Sequence, residues 1–81
     1  MKYRMETRQI IFGVYEKGNG CDSYTGYFRF EEDAKKELKS QMNRLKEEYG
    51  TPDLELKNDR VVKVNGRTEE IFFIIHPIVV R

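Results

Sequence analysis

Between Phe30 and Pro52 the chain reads FEEDAKKELKSQMNRLKEEYGTP, and no other stretch constrains the fold as much. Ala34, Leu38, Met42, Leu45 and Tyr49 recur at steps of 4, 4, 3 and 4, which at about 100° per residue lays them along one side of a helix. The spacing predicts a single amphipathic helix over residues 31–49, with an apolar stripe that has to be buried against another layer. Glu31, Glu32 and Asp33 fall in its first turn, where negative charge suits the positive end of the helix dipole, and Glu31 with Lys35 and Glu32 with Lys36 are spaced for pairing one turn apart. No Ser, Thr or Asn stands at the capping position. At the other end Gly50 predicts a left-handed cap, and Pro52 prevents the helix from continuing.

Outside the helix the pattern changes to that of strands. Tyr3, Met5 and Thr7 alternate with Arg4, Glu6 and Arg8, and Ile10, Ile11, Phe12, Val14 and Tyr15 follow on both parities. A first strand over residues 2–16 is expected, either covered on both faces or shifted in phase by a bulge near Gln9. KGNGCDS, residues 17–23, has the composition of a hairpin loop. The second strand, residues 24–30, would set Tyr24, Gly26, Phe28 and Phe30 under the helix and turn Thr25, Tyr27 and Arg29 outward.

After the helix, Leu54, Leu56, Val62 and Val64 share one parity, which reads as one long strand over residues 53–64 kinked at Asn58 and Asp59, with a tight turn there as the competing reading. Asn65-Gly66 is a hairpin signal, because both residues tolerate positive φ. A three-residue loop with Gly66 left-handed would set Lys63 opposite Glu69 and Val61 opposite Ile71, better paired than a two-residue loop that opposes Val62 and Glu69. The last strand, residues 67–80, is apolar on both parities from Ile71 to Ile75 and is therefore expected at the sheet centre, with Pro77 ending its ladder or sitting at an edge. The expected fold is α+β: a ββαββ order, a mainly antiparallel four-stranded sheet, and one helix packed on one face, all in a single domain over residues 1–81.

One helix covers one face of such a sheet. The other face would expose some of Ile10, Phe12, Tyr27, Phe73 and Ile75, and covering it calls for a second copy of the chain or another protein. With 81 residues the domain buries only about 60% of its unfolded surface, so the stability drawn from its own core is modest.

Composition narrows the chemistry. Fifteen basic against fourteen acidic residues give a formal net charge of +1, which signals neither a polyanion binder nor an acidic mimic. A single cysteine, Cys21, excludes an internal disulfide and leaves a structural zinc site without its usual thiolates, so a reducing, cytoplasmic setting is expected. The charged start MKYRMETRQ lacks the apolar run of a signal peptide, and IFFIIHPIVV is about half as long as a membrane span.

Few residues suggest a site. Gly18-Asn19-Gly20 would need to lead from a strand into a helix to cradle phosphate; here it leads into another strand, as a plain hairpin loop does. Cys21 with Asp22 and the lone His76 are the only pieces of a nucleophilic constellation, and they stand at opposite ends of the chain. No catalytic residues, metal ligands or cofactor motif are assigned.

Two surfaces remain. Tyr15, Tyr24 and Tyr27 flank the first loop and, with Phe73, are candidates for binding a partner, since tyrosine offers large area, few rotatable bonds and a polar tip; packing across strands inside the domain is the plainer reading. On the helix, Lys35, Lys39 and Lys46 form one edge, while Asp33, Glu37 and Glu48 with Arg44 form the other. The lysine edge could touch phosphates while outward tyrosines stack on bases; a solvated, ion-paired face is the plainer reading.

The expected function is therefore a small non-enzymatic interaction protein that binds a protein partner or a second copy through the uncovered face. Its size and style resemble those of small accessory or inhibitor proteins of phages and mobile elements, although no motif carries that likeness. A nucleic-acid-binding domain is the alternative, and a small enzyme using Cys21 or carboxylates is a third reading.

Overall fold

The structure, a computed structural model, describes residues 9–18, 22–50 and 53–80. Its elements follow in the order β1 (Gln9–Glu16), β2 (Ser23–Phe28), α1 (Glu31–Tyr49), β3 (Leu54–Leu56), β4 (Arg60–Asn65) and β5 (Thr68–Val80). The strands form one antiparallel sheet in the order β2-β1-β5-β4-β3, so the last strand in sequence lies at the centre. The expected start of the first strand, residues 2–8, lies outside the described residues.

The helix occupies the span its periodicity predicts. Phe30 caps it without a side-chain hydrogen bond, its carbonyl accepting from the N–H groups of Asp33 and Ala34, and Gly50 closes it at φ 60°, ψ 34°. That left-handed geometry costs any residue with a Cβ, which is why glycine stands there. Ala34, Leu38, Met42 and Leu45 are buried, whereas Tyr49, expected as the last member of the stripe, is exposed. By then the helix has run past the sheet. The ion pair on α1 is Arg44 with Glu48 at 3.1 Å, extended by Gln41 to Glu37.

Against the helix stripe pack Val14 of β1, Leu54 of β3, Val61 of β4, and Phe73 and Ile75 of β5, flanked by Phe12, Phe28 and Phe72. Phe73, Ile75 and Phe12 therefore belong to the helix side and not to the uncovered face. Phe73 is 1% exposed. Ile10 shares their parity and lies beyond the helix on that same side; of the five residues expected outside, only Tyr27 faces away from α1.

The sheet has five strands where four were expected. Asn58 and Asp59 form a turn rather than a kink: Lys57 N–H donates to Arg60 O at 2.8 Å, and Leu54, Glu55 and Leu56 pair back onto Lys63, Val62 and Val61. Shared parity misled because a two-residue turn inverts which parity faces the helix: Leu54 and Val62 lie an even number of residues apart yet on opposite faces. The second hairpin also differs. Asn65 pairs with Thr68, leaving Gly66 and Arg67 as a two-residue loop with Gly66 at φ 63° in its first position, where the type II′ turn requires glycine. In this register Lys63 opposes Glu70 and Val62 opposes Ile71, so opposite charges and apolar side chains meet their own kind of partner.

Pro77 sits within β5 without breaking a ladder. Ile75 N–H donates to Asp59 O, so Ile75 and, two residues on, Pro77 direct their backbone groups toward the β4 side. Pairing with β4 ends at Ile74, so the N–H that proline lacks would have met no partner strand. Among the described residues no helix is long and apolar enough to cross a membrane.

Candidate functional site: an aromatic cluster on the uncovered sheet face

The face of the sheet turned away from α1 is organised by a bulge. In β1 and β2, Val14 pairs with Gly26 but Tyr15 pairs with Tyr24, leaving Thr25 as an extra residue whose hydroxyl donates to Val14 O at 3.4 Å. The extra residue shifts the phase of β2, so Tyr24 and Tyr27, three apart in sequence, emerge on the same face. Tyr24 was expected under the helix; the bulge is what turns it outward. Phe30, expected beside it, is the exposed residue before α1.

Gly13 makes room for the cluster. It pairs with Tyr27 on one side and His76 on the other, and a Cβ there would lie 2.6 Å from Tyr24 Cε1 and 3.1 Å from Ile78 Cδ1. The Tyr24 ring therefore lies across the bare backbone of Gly13. Around it the ring centroids of Tyr15 and Tyr27 are each 5.0 Å away, the first edge-on at 66°, the second tilted by 31°. Tyr15 stacks on the His76 imidazole at 5.1 Å. Such offset and edge arrangements match the aromatic quadrupole and add about 0.5–1.5 kcal/mol per pair beyond area burial.

The polar tips are coupled as well. Tyr24 Oη and His76 Nδ1 lie 3.2 Å apart, so the hydroxyl donates when Nδ1 carries no proton and accepts when it does. Partial burial, then the neighbouring Asp22 carboxylate, hold the Tyr15 hydroxyl above the ordinary tyrosine range. Asp22 Oδ1 in turn accepts from Gly18 N–H at 3.0 Å, which ties the end of the loop to the cluster.

Beyond the aromatics the register continues the same face through Ile11, Ile78, Ile74, Ile71 and Val62. It ends in charge: Lys57 Nζ and Arg60 Nε each lie 3.3 Å from the Glu69 carboxylate, and Arg60 Nη1 lies 2.8 Å from Asp59 Oδ1. Hydrogen bonding by Lys57, then by Arg60, holds Glu69 below the usual carboxylate range. Asp59 and Glu69 raise Arg60 further, so it stays a cation.

Of the four residues singled out for partner binding, Tyr15, Tyr24 and Tyr27 come together and Phe73 does not, being core. His76 joins them, a residue the sequence places far from Tyr24 and the topology makes adjacent by bringing the last strand beside the first. No spacing in the sequence signals that neighbourhood; only the strand order does. Cys21 and the Asn19-Gly20 part of the glycine loop lie outside the described residues. Lys35, Lys39 and Lys46 are exposed on α1, across the sheet from the tyrosines. Among the described residues no three His, Cys, Asp or Glu side chains group as metal ligands, and no pocket opens. The cluster offers a stacking and hydrogen-bonding surface.

Comparison with protein-family profiles, with curated proteins and with solved structures finds no match for this chain.

Proposed function

We propose that this chain is a small non-enzymatic interaction protein, accessory or inhibitory in character, that binds a protein partner through the uncovered face of its sheet. The observation that carries the reading is the cluster of Tyr15, Tyr24, Tyr27 and His76 on a face with no helix over it. Aromatic side chains with polar tips are enriched where proteins meet, because they bury large area at low entropic cost and still satisfy a hydrogen bond at the rim. Tyr27 is the most available of them, at 58% exposure.

The nucleic-acid alternative loses support from the same arrangement. Its cations, Lys35, Lys39 and Lys46, are on the helix, and the tyrosines that would stack on bases are on the opposite side of the sheet. One strand of nucleic acid cannot follow both surfaces across a single layer, and the net charge of +1 adds no long-range attraction.

A photo-reactive phenylalanine analogue placed at position 27, and separately at position 39, tests the proposal in cells that express the full chain. A discrete protein crosslink from position 27 and none from position 39 is the expected result. Crosslinks from position 39 alone, or affinity for single-stranded DNA or RNA that falls steeply with salt, would overturn it.

A further inference from the structure

The chain has a single histidine, and the fold sets it inside the aromatic cluster. Histidine is the side chain whose unperturbed charge change falls between about pH 5 and 8. Two contacts hold the ring of His76. It stacks on Tyr15 at 5.1 Å and 24°, and its Nδ1 meets the Tyr24 hydroxyl at 3.2 Å, the Tyr24 ring standing edge-on at 73°. Tyr24 is itself pinned, across the backbone of Gly13 and between Tyr15 and Tyr27. A proton arriving on the imidazole is therefore accommodated by the hydroxyl hydrogen and not by movement of either ring.

The two charge states present different surfaces. With the neutral ring's proton on Nε2, Nδ1 accepts from Tyr24, and the Tyr24 oxygen keeps its lone pairs for a neighbour outside the chain. With both nitrogens protonated, Nδ1–H donates to that oxygen, and the Tyr24 hydrogen turns outward as a donor. Protonation thus adds a charge and reverses a hydrogen bond at the same spot. The groups around the ring do not undo this change. From β1 come Tyr15 and, past the strand's end, Lys17; from β2 come Tyr24 and Tyr27, with Asp22 before it and Arg29 after it. Asp22 is engaged by the Gly18 N–H and the Tyr15 hydroxyl. From the β4 side come Arg60 and Asp59, bound to each other at 2.8 Å, while α1 packs on the opposite face of the sheet.

We infer that docking on this face is controlled by pH through His76: the partner fits the neutral ring, and acid releases it. The inference rests on the reading of this face as a protein-binding surface and adds the regulation of that surface. A partner covering the cluster withdraws water from the imidazole, and burial disfavours the charged form. A partner donor paired with the Tyr24 oxygen would, after protonation, face the outward hydroxyl hydrogen, donor against donor. Linkage is reciprocal, so a partner that binds the neutral ring more tightly is displaced as protons are added.

The photo-reactive residue at position 27 supplies the readout. Lysate of cells expressing the full chain is brought to about pH 5.5 or about pH 7.5 before irradiation, and the discrete crosslinked band is quantified. The yield is expected to fall about tenfold or more at the lower pH, the effect of one mispaired buried hydrogen bond. His76→Gln, which can still pair with Tyr24 but takes no charge, is expected to crosslink equally at both. Tyr24→Phe keeps the imidazole and removes the hydroxyl that reverses; it is expected to lose most of the dependence, and it carries the test if circular dichroism shows that His76→Gln does not fold. With no partner present, long-range proton–nitrogen NMR of the full chain reads the tautomer, and the neutral ring is expected to carry its proton on Nε2. A neutral ring protonated on Nδ1 would overturn the inference, as would equal yields at the two pH values or a fall that His76→Gln shares. In each of these cases a persisting crosslink leaves the interaction surface standing; a chain with no position-27 crosslink at either pH would refute both.

Discussion

Gly13 pairs with Tyr27 and with His76, and its missing side chain is what lets Tyr24 lie over β1. A methyl group there would meet the Cδ1–Cε1 edge of the Tyr24 ring, so Gly13→Ala is expected to destabilise the fold by about 1–3 kcal/mol in urea unfolding, the range for overpacking. In a Tyr24→Ala background the same change is expected to be neutral or stabilising by about 0.5–1 kcal/mol, since glycine within a strand is entropically unfavourable and the clash has gone. Equal costs in both backgrounds would sink the explanation. At the other end of the face, Glu69 is depressed by Lys57 and Arg60, so its contribution to stability is complete above the ordinary glutamate pKa of about 4.3 and is lost as pH falls through the lower folded-state value. Glu69→Gln is expected to flatten the acid limb of a stability-against-pH profile measured by urea titration. Sequence legibility at this scale was uneven. Tyr15, Tyr24 and Tyr27 stand out by composition alone, whereas the face Tyr24 takes depends on an extra residue that no turn or glycine signal marks, and His76 enters only through long-range pairing.

Among the elements, α1 is the one whose span and ends are all legible, because its determinants are local: the period of its apolar side chains, the acidic first turn and Gly50. The strands are less so. Alternation reports parity but not register, and a bulge or a two-residue turn changes the face without leaving a gap in the pattern; Thr25, Asn58-Asp59 and Phe72, which is skipped between the pairs Val61–Phe73 and Val62–Ile71, are the places where this happens. Phe73 was assigned outward for a related reason, since β5 is apolar on both parities and nothing local separates its faces. The fit of α1 to the sheet gives a sharp contrast along one stripe. Leu38 is fully buried against the core and Tyr49, on the same stripe, is 69% exposed. Leu38→Ala is expected to cost about 2–5 kcal/mol, and Tyr49→Ala less than about 0.5 kcal/mol, by chemical denaturation. Comparable losses at the two sites would mean that the helix reaches further across the sheet than its buried residues indicate.

As a whole the molecule closes its edges and leaves a face open, and Pro77 is where that division is most directly testable. β5 extends beyond the end of β4, so past Ile75, whose N–H still reaches Asp59 O, one side of the central strand has no partner strand. A long central strand with a bare flank is a template for another chain's backbone, and association there would compete with packing through the face. Proline removes the first donor along that flank while leaving the pairing of β5 with β1 intact, since its backbone is directed away from β1. Pro77→Val restores the N–H and adds a residue with high strand propensity on an exposed position. The variant is expected to retain the wild-type circular dichroism spectrum at low concentration and to form light-scattering, thioflavin-positive assemblies at concentrations where the wild type stays clear. Combining it with Tyr27→Lys separates the two modes of association: an edge-driven process persists when the face carries a lysine, and a face-driven one does not. If Pro77→Val assembles no more readily than the wild type, the bare flank of β5 is not the hazard that proline guards against, and the case for the face as the molecule's docking surface loses one of its supports.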